Sequence, residues 1–363
     1  MMTRWDEHSP VWRGLRVLIT GGAGFLGYRL AQVLKQMIGC VHVYGLDIKS
    51  WWNPHTPMEA PNFVYEQIRM ADVTDYRACE RAIVETKPDV IFHLAAISQV
   101  VDAKQMPLQA YLTNIMGTAN ILEAARQTFP GRIVTVVASS DKAYGTMPTV
   151  GTRMLSANEH SFLDPTHPYD VSKASADFIA RSYGRLYGER TAITRCANIY
   201  GPGDDNWQRI IPGTIRSHLF GNAPIIRSNG TLVREYNYID DIIEAYLLVA
   251  WSLMKKTPEN PGLCWTISDE ASRMDVMTVV DQVGRVIRAL NPGARLWAPV
   301  IKDEASDEGQ EIRLSSQRIK EQLGWKPRMT FENGLRATIE WAHTVHGMPL
   351  GLPSGSPMVS LND

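Results

Sequence analysis

Apolar residues in this chain fall into two alternating patterns. Short, largely apolar blocks at Arg16–Thr20 and residues 41–46, 90–96 and 133–137, and the more polar stretch 62–67, read as strands; between them, apolar positions recur at the helical interval. The helical stretches cover residues 24–37, 74–86, 107–128, 168–187 and 238–251. Unbroken rather than alternating apolar strands are those buried on both faces. The pattern therefore predicts an α/β fold, a doubly wound parallel sheet covered by helices, with a smaller C-terminal lobe.

The first strand runs into Gly21-Gly22-Ala23-Gly24-Phe25-Leu26-Gly27 and then a helix. Glycines at 22, 24 and 27 satisfy G-x-G-x-x-G; those at 21, 24 and 27 satisfy a G-x-x-G-x-x-G variant. Missing Cβ atoms allow a sharp turn and close approach of a pyrophosphate, which rests on the positive end of the following helix. Gly21, Gly24, Phe25, Leu26 and Gly27 thus make a Rossmann cofactor turn. Asp47 ends the second strand, twenty residues beyond Gly27, where a carboxylate can bind adenosine ribose hydroxyls. This points to NAD, although Lys49 nearby could tolerate a ribose phosphate. Asp72, with Val73, lies either near the adenine or at the N-cap of the 74–86 helix. Leu94, Ala95 and Ala96 close the fourth strand with residues that let a cofactor pass, and His93 within it reads as a core histidine.

The fifth strand leads into Ser139-Ser140-Asp141-Lys142-Ala143-Tyr144, at the edge where such sheets bind ligands. Downstream, Tyr169 and Lys173 are spaced i,i+4 and share one helix face. An ammonium beside a phenol favours phenolate, so Tyr169 is expected to exchange a proton with a sugar hydroxyl, with Lys173 as tuner and ribose anchor.

At these residues the chain resembles the extended short-chain dehydrogenase/reductase superfamily, in particular its nucleotide-sugar epimerases and dehydratases, over residues 14–346. The segments Arg195–Ser217 and Ile226–Asp241 are most similar to CDP-glucose 4,6-dehydratase. The resemblance implies that this region wraps a nucleotide diphosphate. Asn198 and the guanidinium groups of Arg209 and Arg234 suit phosphate oxygens, and Trp207 offers an aromatic surface to base or sugar. Ser98, after the fourth strand, joins this substrate-binding set. Relatives with Asp-Lys at positions 141–142 are dehydratases. The implied reaction is C4 oxidation through Tyr169, C5 proton removal by Lys142, protonation of the departing C6 hydroxyl by Asp141, and hydride return to C6. A 4-epimerase, using Ser140, Tyr169 and NAD without losing water, is the alternative; an idle NAD-binding regulator is disfavoured by the intact Ser140, Tyr169 and Lys173.

At 363 residues, with 44% hydrophobic residues and a formal net charge of -1, the chain can bury two lobes and has no excess of basic charge for nucleic acid. Cys40, Cys79, Cys196 and Cys264 lack metal-ligand spacing and are expected to be reduced thiols. The polar start and the absence of a long apolar run argue against export and membrane spanning, hence a cytoplasmic enzyme. The cofactor domain is expected over 14–195 plus 238–251, the substrate lobe over 196–228 and 257–348, an exposed connection at 256–262 and a loose tail over 349–363. The 107–128 and 168–187 helices resemble the pair that makes a four-helix homodimer interface in relatives.

Overall fold

The computed structural model describes residues 9–39, 41–49, 64–145, 147, 149–150, 153–255, 262–304 and 309–347. Cys40, the tail and nearly all of the 256–262 connection lie outside this set.

Seven parallel strands form the central sheet, in the order Leu263–Ile267, Arg190–Cys196, Val134–Ala138, Val90–His93, Arg16–Thr20, His42–Asp47, Gln67–Met70. Val17, Leu18, Ile19, Val90, Ile91 and Phe92 are fully buried, as expected for strands packed on both faces. Helix Ile239–Lys255 covers the strands Val134–Ala138 and Arg190–Cys196. Ile242, Ile243 and Leu247 on that helix are completely buried, each contributing about 1.5–3 kcal/mol of transfer free energy. The described cysteines Cys79, Cys196 and Cys264 are free thiols.

The smaller lobe combines helices Ile210–Leu219, Val276–Leu290 and Phe331–His346, which pack on one another, with short strand pairs. Asn198–Tyr200 pairs in parallel with Tyr236–Tyr238, and Val233–Arg234 antiparallel with Met274–Asp275.

Several expected boundaries move. The third strand is Gln67–Met70; of the expected 62–67, residues 62 and 63 lie outside the described residues and 64–66 precede the strand. The fourth ends at His93, leaving Leu94–Ala96 as a loop. The helix expected from residue 74 is Tyr76–Thr86, and its N-cap is Asp75, which accepts from Arg77 N and Ala78 N; Asp72 instead accepts from Thr74 N at 2.8 Å. Strand Leu263–Ile267 belongs to the large sheet, paired with Arg190–Cys196, so the substrate lobe does not hold all of 257–348. The 107–128 stretch is continuous helix whose middle, Leu112–Met116, widens to a π-turn. Helix Pro168–Tyr187 has the expected limits, with Pro168 at its first turn and left-handed Gly188 at its end.

Candidate active site

All strands of the sheet run the same way, so Gly21, Asp47, Leu94, Ser140 and Ala197 emerge from one edge of it. The glycine turn at that edge is built with no room to spare. Gly21 has φ +68°, and a Cβ there would lie 2.7 Å from Ala95 N. A Cβ on Gly27 would meet Gly21 O at 2.3 Å, so both positions exclude larger residues. Helix Phe25–Gln32 begins at Gly24 without a side-chain cap. Its first N–H groups are left for an anion. Asp47 accepts from Ala23 N and Lys49 N, each at 3.0 Å, which fixes the carboxylate beside the turn. These features fit a dinucleotide. The ring of Phe25 lies against the Gly203 loop of the other lobe.

Sequence reasoning missed two supports of this cradle. Tyr65 donates to the carbonyls of Gly22 and Gly27 at 3.1 and 3.3 Å, bracing the turn from beneath. Asn114 accepts from Ile97 N and donates to Ile97 O and Ser172 Oγ, so it ties the loop of Ala95, Ala96 and exposed Ser98 to the helix that carries Tyr169. Tyr65 lay in an apolar block and Asn114 within a helical pattern, where neither position stood out. Val73 is buried, its side chain facing Gly117. His93 is a core histidine: buried, bonded to Thr20 Oγ1 and Thr118 Oγ1 at 2.7 and 3.0 Å, and held neutral by burial, which lowers its pKa to about 3.

The hydroxyl cluster is compact. Ser140 caps the short turn Asp141–Tyr144, donates to Asp141 Oδ1 at 2.8 Å, accepts from Lys142 N, and favours the ionised form of Tyr169. Asp141 is buried, and that burial raises its pKa against the opposing pull of Lys142, Ser140 and Arg234. The carboxyl is thereby shifted toward the protonated form that can donate. Tyr169 stands well above the usual phenol range, through burial first and the Asp141 charge second.

The Lys173 ammonium donates to Ala138 O at 2.9 Å and is pushed down to about 8 by burial; the largest influences on Tyr169 are burial, Asp141, Ser140, Asp170 and Arg209. The i,i+4 spacing put both residues on one face, and the long lysine chain reaches the strand end instead.

Arg209 and Arg234 act on opposite sides of the cluster: Arg209 favours ionised Tyr169, Arg234 ionised Asp141. Arg209 is held by Asp204 Oδ2 at 2.7 Å and by Ile199 O. Arg234 donates to Val233 O at 2.8 Å, and Asn198 to Glu235 O at 3.4 Å. Trp207 meets the edge of His346 at 5.1 Å between centroids, with Arg216 over its ring at 5.5 Å, so its aromatic surface is partly engaged within the small lobe.

A doubly wound sheet with this turn, a Ser–Tyr–Lys cluster and a second lobe across the cleft defines an extended short-chain dehydrogenase/reductase of the nucleotide-sugar group. The chain belongs to the family described as GDP-mannose 4,6 dehydratase, whose model matches residues 18–338. It is 30% identical over 352 residues to dTDP-glucose 4,6-dehydratase 1 of Escherichia coli (strain K12), covering 90% of this chain and 92% of that protein. Among solved structures, it resembles the NAD complex of dTDP-glucose 4,6-dehydratase from Bacillus anthracis (TM-score 0.73, 25% identity, 91% of this chain and 97% of that one). It also resembles UDP-glucose 4-epimerase of Thermotoga maritima with UDP-glucose (TM-score 0.77, 25% identity, 90% and 98% covered).

Proposed function

We propose that this chain is an NAD-dependent nucleotide-sugar 4,6-dehydratase. The observation that carries the reading is the buried Asp141, its carboxyl bonded to Ser140, its pKa raised by burial and its charge felt at Tyr169. A 4-epimerase needs the tyrosine and serine but has no task for a carboxylic acid that donates a proton.

NAD, when bound, accepts hydride from C4 and returns it to C6. Tyr169 takes the C4 hydroxyl proton, with Ser140 bridging it to Asp141. The C4 ketone acidifies C5–H, and Lys142 removes that proton. Asp141 protonates the C6 hydroxyl, which leaves as water; Lys142 returns its proton to C5 as hydride reaches C6, and the proton taken up by Tyr169 passes through Ser140 to restore Asp141. Lys173 secures the cofactor ribose, Gly21, Gly24 and Gly27 the pyrophosphate, and Asp47 the adenosine ribose. Leu94, Ala95 and Ala96 border the cofactor, with Asp72 and Val73 beside the adenine.

Asn198, Arg209 and Arg234 hold the substrate diphosphate, with Trp207 and Ser98 towards base and sugar. CDP-glucose is the substrate drawn from the Arg195–Ser217 and Ile226–Asp241 resemblance; dTDP-glucose, named for the relatives, is its competitor. The active form is a homodimer. Incubation with CDP-, dTDP-, GDP- and UDP-hexoses, with products weighed, tests the reading. Loss of water is expected, and unchanged mass with inverted C4 would make the chain an epimerase.

A further inference from the structure

Tyr169, Lys173 and Asp177 follow one another at i, i+4 and i+8 on helix Pro168–Tyr187, and all three are buried. The proposed chemistry uses the first two and leaves Asp177 without a task. Its carboxylate forms a two-pronged pair with Arg195, at 2.7 Å from Nε and 3.0 Å from Nη2, and both side chains are completely inaccessible to solvent. Arg181 approaches the same carboxylate at 3.7 Å.

A buried ion pair is poor evidence for stability, because desolvation consumes most of the attraction and apolar packing would serve as well. Geometry explains this one better. Arg195 makes a further bond, from Nη1 to Tyr144 Oη at 3.0 Å, and Tyr144 closes the turn Asp141–Tyr144 that carries Asp141 and Lys142. The same hydroxyl donates to Asn158 O at 2.8 Å and meets Thr266 Oγ1 at 3.0 Å. Past the turn, Gly145 at φ +60° packs so closely on Asp164 O that a Cβ would come within 1.9 Å. The turn is therefore gripped at its end, and the grip leads back to the helix that bears Tyr169.

We propose that Asp177, Arg195 and Tyr144 are positioning residues that set the Asp141–Lys142 turn against Tyr169, and so govern elimination rather than C4 oxidation. The inference rests on the dehydratase reading. Planar, bidentate guanidinium suits this role, since it fixes direction as well as distance.

The test is Tyr144→Phe, an isosteric change that removes only the hydroxyl gripped by Arg195. Holoenzyme is mixed with a turned-over nucleotide hexose, and bound NADH absorbance, water loss and thermal midpoint are followed. C4 oxidation is expected at the wild-type rate, with elimination slowed on the order of 10- to 100-fold, the scale of misplacing a reacting group; bound NADH then accumulates. Lys142→Met should give the same signature. Equal slowing of both steps, or a lowered midpoint with an unchanged ratio of the two rates, overturns the positioning role. Wild-type enzyme that oxidises C4 but never loses water overturns the dehydratase reading itself, and this inference with it.

Discussion

Tyr169 is pushed away from phenolate by burial and by Asp141, with Ser140 and Arg209 pulling the other way. In this arrangement the phenol needs a nearby positive charge to lose its proton, and the Lys173 ammonium is anchored on Ala138 O. Tyr169→Phe should lower turnover on the order of 10²–10⁴ or more while leaving NAD affinity within a few-fold, as measured by steady-state kinetics and cofactor titration. Near-normal turnover would remove Tyr169 from the mechanism. Asp47→Ala should relax the preference for NAD over NADP, because it deletes both the ribose acceptor and the charge that repels a ribose phosphate; an unchanged ratio of the two affinities would move that task to another residue. At this scale most of the site was legible, because glycine spacing and i,i+4 spacing are local properties. The direction of Lys173 was not, since it depends on a strand end that comes thirty-five residues earlier.

The elements show the same division between local and long-range information. Helix Pro168–Tyr187 announces both ends with Pro168 and Gly188. The third strand was misplaced because Gln67–Met70 is an edge strand with Met70 64% exposed, while the apolar Val64 and Tyr65 before it are buried outside the sheet. Strand Leu263–Ile267 joins the sheet through pairing with Arg190–Cys196, which no local pattern announces. A second long-range junction sits at Glu235, between strands Val233–Arg234 and Tyr236–Tyr238. Its carboxylate accepts from Ser268 Oγ and Leu314 N at 2.5 and 3.1 Å, and burial lifts its pKa to about 7. A raised carboxyl pKa means its stabilising contribution is complete below the unfolded value of 4.5 and is lost as pH rises through about 7. Glu235→Gln should therefore flatten the fall in stability between pH 5 and 8, by on the order of 1–3 kcal/mol. Denaturation midpoints across that range check it, and parallel curves for both proteins would contradict the assignment.

Across the whole molecule, the described residues include no helix long and apolar enough to cross a membrane. Exposed apolar side chains gather on the two helices expected to pair between subunits: Leu108 70%, Leu112 40% and Met116 49% on one, Phe178 54% on the other. The first three recur every four residues and so form one stripe. Carrying Leu112→Glu and Phe178→Glu together should shift sedimentation from dimer to monomer, since a carboxylate desolvated in such an interface is costly. A mass unaffected by the pair would place any interface elsewhere. No local pattern in the chain announces that the large sheet takes its last strand, Leu263–Ile267, from beyond the first part of the small lobe.

The central claim is that hydride leaves C4 and returns to C6 after water is lost. Nucleotide hexose carrying deuterium at C4, incubated with the holoenzyme in ordinary water, tests this in one spectrum. The account predicts a 4-keto-6-deoxy product lighter by one water, with the deuterium in its C6 methyl group. Deuterium retained at C4 of a sugar of unchanged mass but inverted C4 configuration would contradict it and make the chain an epimerase.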